Sequence, residues 1–192
     1  MDRSDVKKQW DKVSEKYAES RDSDGPETDL IDEMLRELPP QPKVLDVGCG
    51  DGMRTLRYLP NSSVGMDVSR NGLELAEQNV PNPLVQSDMV SMPFKQDTFD
   101  AITAYFAVFH VERGKHRQVY EEFSRITNSN GTILMTLPSG SFETVRRGWM
   151  GGKMLFSSPG RNQTLRMLEE SGFHDYETKT SNDPLGGSTE FV

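Results

Sequence analysis

Three glycines at alternate positions, and the aspartates set around them, are the residues best placed to do chemistry. Gly48, Gly50 and Gly52 follow an apolar run of Val44, Leu45 and Val47, with Asp46 inside that run. Glycine tolerates positive φ, and its missing Cβ lets a ligand lie close to the backbone. Met53, Leu56 and Leu59 then recur about three residues apart, so the stretch predicts strand, tight turn and helix. A helix start there would offer free N–H groups and a partial positive charge. Such a turn at the carboxyl end of a first strand suits a nucleotide-like ligand, and a purely structural turn is the plainer alternative. The dinucleotide spacing G-x-G-x-x-G would need a third glycine where Met53 stands. Asp67 ends a second apolar run, 21 residues beyond Asp46. A carboxylate there can accept from both hydroxyls of a ribose, or it can simply cap the next helix.

These residues need elements to hold them. Val6, Trp10, Val13 and Tyr17 fall on one face of an N-terminal helix. Asp22-Ser23-Asp24-Gly25-Pro26 breaks it, and Pro26 suits the first turn of a second helix running to about Leu38. Pro39, Pro40 and Pro42 lead into the first strand. Residues 63–67 and 84–87 read as short strands, with a helix between them capped by Ser69. Residues 99–106 form a continuous apolar run, as a central parallel strand buried on both faces requires. A helix over 115–127, the turn Asn130-Gly131 and a strand over 132–137 follow. Residues 139–160 hold six glycines or prolines from Gly140 to Gly160 and predict a short helix and a mobile loop. A helix over 161–171 stops at Gly172, a sixth strand spans 173–180, and a seventh begins at Ser188. That strand has five residues where a full edge strand wants more, so the natural protein is expected to continue past Val192. Alternating strands and helices argue for an open parallel α/β sheet.

Asp46-x-Gly48-x-Gly50-x-Gly52 resembles the first motif of the class I S-adenosylmethionine-dependent methyltransferases, of the small-molecule (methyltransferase-11-like) type. Gly65-Met66-Asp67-Val68-Ser69 matches the family's acidic site for ribose hydroxyls. Gln86-Ser87-Asp88-Met89 stands where the family sets an acid or amide against the adenine amine; a plain loop carboxylate is the alternative for Asp88. Met92-Pro93-Phe94 with Phe99-Asp100, and the loop Ala107-Val108-Phe109-His110-Val111, are also similar, as is the tail from Phe156 to Gly172-Phe173. Trp10-Asp11 with Tyr17 and Arg21 resembles the family's N-terminal lid helix, with Ser14 where Ala is usual.

The resemblance implies a Rossmann-like, mostly parallel seven-stranded sheet with helices on both faces and an antiparallel seventh strand. It implies one methyltransferase domain over 1–192: a lid helix in 1–25, a cofactor-binding core over 43–137, a variable substrate-side segment over 138–160, and a C-terminal helix and strands over 161–192. The implied cofactor is S-adenosylmethionine, leaving as S-adenosylhomocysteine. The residues implied to hold it are Asp46, Gly48, Cys49, Gly50, Asp67, Val68, Asp88, Met89, Ala104, Tyr105, Tyr17 and Arg21. Val68 and Met89 would wall the adenine, Arg21 would pair with the ligand carboxylate, and Trp10, Tyr17, Tyr105 and Phe106 could face the sulfonium cation. The implied reaction is in-line transfer of a methyl group. If a base is needed, His110 or Tyr105 is the candidate; a structural role or a helix cap reads equally well for His110.

Composition narrows the partners. The net charge of −8 over 192 residues disfavours unaided binding to a phosphate backbone. Arg113, Lys115 and Arg117 form the only local basic cluster seen in the sequence, and a solvated helix start explains them equally. No Asn-Pro-Pro-Tyr stretch follows the fourth strand, where Ala104-Tyr105-Phe106-Ala107 stands, so a small-molecule acceptor is expected. A tRNA-modifying enzyme with a basic partner subunit, or a non-catalytic binder of the cofactor, are the other readings. A nucleotide-dependent dehydrogenase is the weakest, for want of the third fingerprint glycine. Cys49 is the only cysteine and reads as apolar filler in the turn rather than a nucleophile. The N-terminus lacks the apolar core of a signal peptide, no run approaches a membrane span, and no metal ligands cluster, so a soluble cytoplasmic protein is expected.

Overall fold

The computed structural model describes residues 1–21, 25, 28–182 and 188–192. Its elements are α1 (Arg3–Ser20), α2 (Thr28–Glu37), β1 (Val44–Val47), β2 (Val64–Asp67), α3 (Arg70–Asn79), β3 (Leu84–Gln86), β4 (Phe99–Ala104), α4 (His116–Ile126), β5 (Thr127–Leu137), β6 (Ser141–Trp149), β7 (Gly152–Pro159), α5 (Arg161–Ser171), β8 (Lys179–Asn182) and β9 (Ser188–Phe191). Seven strands form one sheet in the order β3-β2-β1-β4-β5-β9-β8. Strands β1 to β5 run parallel, and β9 is antiparallel to both of its neighbours. The expected fold is therefore present, antiparallel seventh strand included.

Alternation along the strands explains the layers. Leu45, Met66 and Ile102 point to one face, where Val119, Phe123 and Ile126 of α4 and Leu165 and Leu168 of α5 cover them. Val44 and Ala101 point to the other, under Ile31 and Met34 of α2 and Ala76 of α3. Burying each such aliphatic side chain contributes roughly 1.5–3 kcal/mol. The strand order turns back on itself at β1, which has β2 on one side and β4 on the other. In open α/β sheets the ligand crevice lies outside the carboxyl ends of the strands at such a point.

Three expectations need correction. No α-helix follows the glycine turn; a single 3-10 turn, Leu56–Tyr58, takes its place. Pro60 stops the segment, because the residue before a proline is driven out of helical geometry. Residues 141–159 are not a helix and loop but the two-stranded hairpin β6–β7. Its glycines make the tip, with Gly148 and Gly151 at φ 79° and 82°. On β7, Met154 and Leu155 are both buried and pack with Val6 and Val13 of α1. The sixth strand is shorter than 173–180, because its ladder ends with its partner: only Lys179–Asn182 pairs, against Ser188–Phe191. Pro26 and the rest of its break, apart from Gly25, lie outside the described residues.

The predicted caps are present. The Ser69 hydroxyl accepts from the Gly72 N–H at 3.1 Å at the start of α3. Gly172 closes α5 at φ 108°, donating back to the carbonyls of Leu168 and Glu169. Asp100 is structural: its oxygens take the Lys43 N–H and the Asn128 amide, each at 2.8 Å. No helix among the described residues is long and apolar enough to cross a membrane.

Candidate functional site

The glycine turn leaves β1 with Gly48, Gly50 and Gly52 all in the left-handed region, at φ 76°, 55° and 77°. Each position rejects a side chain on conformational grounds, but the surroundings differ. A Cβ on Gly48 would stand 2.5 Å from that of Ala107, whereas one on Gly50 would meet nothing within 4 Å. Gly48 is thus needed for packing, and Gly50 opens onto free space.

Two buried aspartates flank the turn and do different things. Asp46 is consumed internally, accepting from the hydroxyls of Thr103 at 2.7 Å and of Thr55. Burial pushes its pKa up to about 6 against the pull of those hydrogen bonds. Asp67, at the end of β2, accepts from the Gly50 N–H and the Ser69 N–H, each at 2.8 Å. Burial raises its pKa too, opposed by the backbone N–H bonds.

Above the turn lies a cavity of about 730 Å³, its open mouth included. Gly48, Gly50, Asp51, Asp67, Val68 and Met89 line its floor, and Tyr105, Phe106, Ala107 and His110 its far side. Its roof is α1, through Arg3, Val6, Trp10, Ser14, Tyr17, Ala18 and Arg21. Polar contacts fasten the roof along its length. Arg3 grips Asp88 with two hydrogen bonds, at 2.7 and 2.9 Å. Asp11 accepts from Ser69 Oγ and Arg70 N, at 2.9 and 2.8 Å, capping α3 from outside. The Ser14 hydroxyl meets that of Ser69 at 3.1 Å, so Ser where Ala was expected joins the lid to this cap. Arg21 bonds Asp51 at 2.8 Å and lies 5.0 Å from the Tyr17 ring centroid.

The aromatic side of the cavity is dense. Trp10 stands edge-on to Tyr17, His110 and Trp149, at 5.2, 5.0 and 5.5 Å. His110 Nδ1 is 2.8 Å from the Leu155 carbonyl, which can only accept, so Nδ1 carries the proton. Nε2 is then the bare nitrogen. Burial lowers the His110 pKa to about 4, so the ring is neutral. His116, the first residue of α4, is buried, with Nε2 2.9 Å from Ser157 Oγ, and this pair ties β7 to α4.

Gly48, Gly50, Asp67, Val68, Met89, Tyr105, Tyr17, Arg21 and His110 all line the one cavity. Asp46, Cys49, Asp88 and Ala104 do not. Asp46 is spent on its threonines, and Ala104 is core. Cys49 packs with Leu56 and Ala76, and burial drives its thiol pKa well up, so it is filler as expected. Asp88 sits under the Arg3 guanidinium. Sequence reading missed Arg3, Asp11 and Asp51 as site residues. Asp51 lies inside the glycine motif and was open to notice; Asp11 was noted only as part of the lid-helix motif; the partners of Arg3 and Asp11 lie 85 and 58 residues away, and nothing local marks those contacts.

The family model described as a methyltransferase domain matches residues 45–135. A malonyl-[acyl-carrier protein] O-methyltransferase of Legionella pneumophila is 34% identical over 127 residues, covering 61% of this chain and 44% of that protein. A tRNA (carboxymethyluridine(34)-5-O)-methyltransferase, alkbh8, of Xenopus tropicalis is 26% identical over 140 residues, covering 70% of this chain and 21% of that protein. The chain spans less than half the length of these curated relatives. In fold, an S-adenosylmethionine-dependent methyltransferase of Clostridium acetobutylicum superposes with TM-score 0.70 at 13% identity, covering 95% of this chain and 94% of that one. Residues 45–135, which carry the glycine motif and most of the parallel strands, are thus similar to the methyltransferase-domain family, and the chain has the Rossmann-like fold of the class I S-adenosylmethionine-dependent methyltransferases.

Proposed function

We propose that the cavity beneath α1 binds S-adenosylmethionine and that the protein transfers its methyl group to a small-molecule acceptor. The observation that carries this reading is the pairing of Asp67 with Gly50. Each Asp67 oxygen takes one backbone N–H and keeps a lone pair for a ribose hydroxyl, and Gly50 beside it leaves room for the sugar. Val68 and Met89 offer apolar walls for the adenine. Arg21 and Asp51 offer opposite charges to the carboxylate and ammonium of the amino-acid end.

When bound, the sulfonium group supplies an already activated methyl, so little covalent chemistry is left to the protein. The glycine turn and Asp67 fix the donor's orientation. The roof of α1 and the rings of Trp10 and Tyr105 exclude water and face the positive charge. Alignment of this kind supplies on the order of 7–11 kcal/mol in favourable cases. His110, neutral and with Nε2 bare, receives a hydrogen bond from an acceptor that carries an O–H or N–H.

The Xenopus relative supports a second reading, a tRNA-modifying enzyme completed by a basic partner. Against it, Arg117 is paired with Glu170 at 2.6 Å and Lys115 with Glu112 at 3.7 Å, on a chain of net charge −8. A binder without catalysis shares every cofactor contact and is separated only by methyl transfer.

The test is calorimetric titration of S-adenosylmethionine, S-adenosylhomocysteine and NAD into wild type and Asp67→Ala. Micromolar binding of the first two, lost in the variant, is expected. Tight binding of NAD alone would sink the reading.

A further inference from the structure

The hairpin β6–β7 stands apart from the main sheet, and its two strands have different surroundings. β7 lies against the body of the protein: Met154 and Leu155 pack with Val6 and Val13, and Ser157 meets His116. β6 is the outer strand. It pairs with β7 along one edge, in regular register from Ser141 to Arg147, and no strand among the described residues pairs with its other edge. Ser141 to Gly148 are all exposed. Such an edge presents a row of backbone N–H and C=O groups, a template for another strand.

Proteins commonly blunt their edges with prolines, short strands or bulges. β6 is nine residues long, contains no proline and bulges only at its tip, between Arg147 and Trp149. Phe142 and Val145, each 37% exposed, are two of the three large apolar side chains left uncovered among the described residues. The strand also carries Glu143, Arg146 and Arg147. Arg146 is engaged on Phe156, 4.6 Å from the ring centroid. Glu143 accepts from the Arg113 N–H at 2.8 Å through Oε2, and a carboxylate has capacity for more.

The spacing of these residues selects the partner. A two-fold axis through Val145 sets β6 antiparallel to the same strand of a second copy. Val145 then faces Val145, Glu143 faces Arg147, Thr144 faces Arg146 and Phe142 faces Gly148. Facing positions are both odd or both even, so backbone groups pointing away from β7 meet groups that do the same. Glu143, Val145 and Arg147 share one face of the strand, so two unlike-charge pairs flank the valine pair. On the other face the Phe142 ring covers Gly148, where a Cβ would meet nothing within 4 Å. Axes through Glu143, Arg146 or Arg147 would set like charges face to face. One through Thr144 would pair no unlike charges, and one between residues would set outward-pointing groups against inward-pointing ones.

We infer that the outer edge of β6 docks a second copy of this chain, joining the two hairpins into one antiparallel sheet centred on Val145 and closed by the Glu143–Arg147 pairs. The contact is isologous, so it stops at two copies. Because β7 packs against α1, the joined sheet links the roofs of two cavities. Nothing in this inference depends on the proposed methyl transfer.

Sedimentation velocity over about a hundredfold range of protein concentration tests it; a contact one strand wide belongs to the weak class, so a dimer that dissociates on dilution is expected. Val145→Lys sets two ammonium groups on the axis and should abolish the dimer. Arg147→Glu and Glu143→Arg each set like charges opposite and should abolish it too. All three side chains are exposed, so the thermal midpoints should stay close to wild type. Mixing Arg147→Glu with Glu143→Arg makes every facing charge pair unlike again, so a heterodimer should form although neither variant pairs with itself. A wild type that is monomeric throughout, a dimer that survives Arg147→Glu, or no heterodimer on mixing would overturn the inference. So would a monomer that binds tRNA and loses it in Arg147→Glu, which would assign the edge to nucleic acid.

Discussion

Arg3 and Asp88 join the first turn of α1 to the loop just beyond β3 by two hydrogen bonds of 2.7 and 2.9 Å. The same guanidinium donates to the His110 carbonyl at 2.7 Å. One side chain therefore fastens the roof to the β3 side of the cavity and to the loop that carries the histidine. Both partners are largely buried, with side chains 12% and 25% exposed. A bidentate pair in that setting contributes on the order of 1 kcal/mol. Arg3→Ala should loosen the first turns of α1 without unfolding the sheet. Faster amide exchange over residues 3–8 and faster cofactor dissociation are expected, with the thermal midpoint nearly unmoved. Unchanged exchange there would mean that Trp10 and the Asp11 contacts hold the roof alone.

Gly48 and Gly50 should separate folding from binding. Both sit at positive φ, so alanine at either costs about 1 kcal/mol in strain. Only at position 48 does the new methyl collide, 2.5 Å from the Ala107 Cβ, which adds roughly 1–3 kcal/mol of overpacking. Gly48→Ala should lower the urea midpoint clearly. Gly50→Ala should fold nearly as well as wild type and lose cofactor affinity, because its methyl projects into the cavity. Equal stability losses in the two variants would contradict this division.

Acid should weaken the fold through its histidines, and Asp46 should resist. Burial holds His110 and His116 at about 4, below their ordinary 6.5. Between those values the unfolded chain binds protons that the native protein refuses. Their stabilisation is complete above 6.5 and lost as pH falls toward 4, on the order of 3 kcal/mol each. Asp46 runs the other way. Raised from 3.8 to about 6, it keeps a proton that the unfolded chain has released, so its contribution is lost as pH rises through that range. Urea unfolding at pH 7.5 and pH 4.5 is the measurement. His116→Gln should show a shallower loss on acidification than wild type, and Asp46→Asn a steeper one.

How much of this was legible in the sequence depends on whether a signal is local. The glycine turn, the strand-end Asp67 and the capping Ser69 act within a few residues of themselves, and spacing located them. The 3-10 turn after Gly52 was misjudged because Met53, Leu56 and Leu59 keep helical spacing on a segment that Pro60 cuts short. The hairpin β6–β7 was hidden for another reason. Its first strand is solvated on both faces, so no apolar alternation marks it, and its second is identified only by the α1 residues that Met154 and Leu155 bury. The roof contacts of Arg3 and Asp11 depend on the closed fold, where charges far apart in sequence come within hydrogen-bond distance.

Arg21 and Asp51 carry the sharpest prediction about the ligand. They face each other at 2.8 Å, both about one-tenth exposed, at the edge of the cavity beside the glycine turn. A lone arginine there would select a carboxylate; a lone aspartate would select an ammonium. Together they match a zwitterion, whose two charges can replace the contacts that each makes with the other. Losing one partner of a charge-assisted pair this far from water costs about 1.5–3 kcal/mol, or roughly ten- to a hundredfold in affinity. On the proposed reading the amino-acid ends of S-adenosylmethionine and S-adenosylhomocysteine reach the pair, so Arg21→Ala and Asp51→Ala should each lose that much for both ligands. Neither should change the affinity for 5′-methylthioadenosine, which has the same nucleoside and no amino acid. Titration of the three ligands into the two variants gives the comparison. Equal losses for 5′-methylthioadenosine would show that the pair only fastens the roof, and that the amino-acid end lies elsewhere in the cavity.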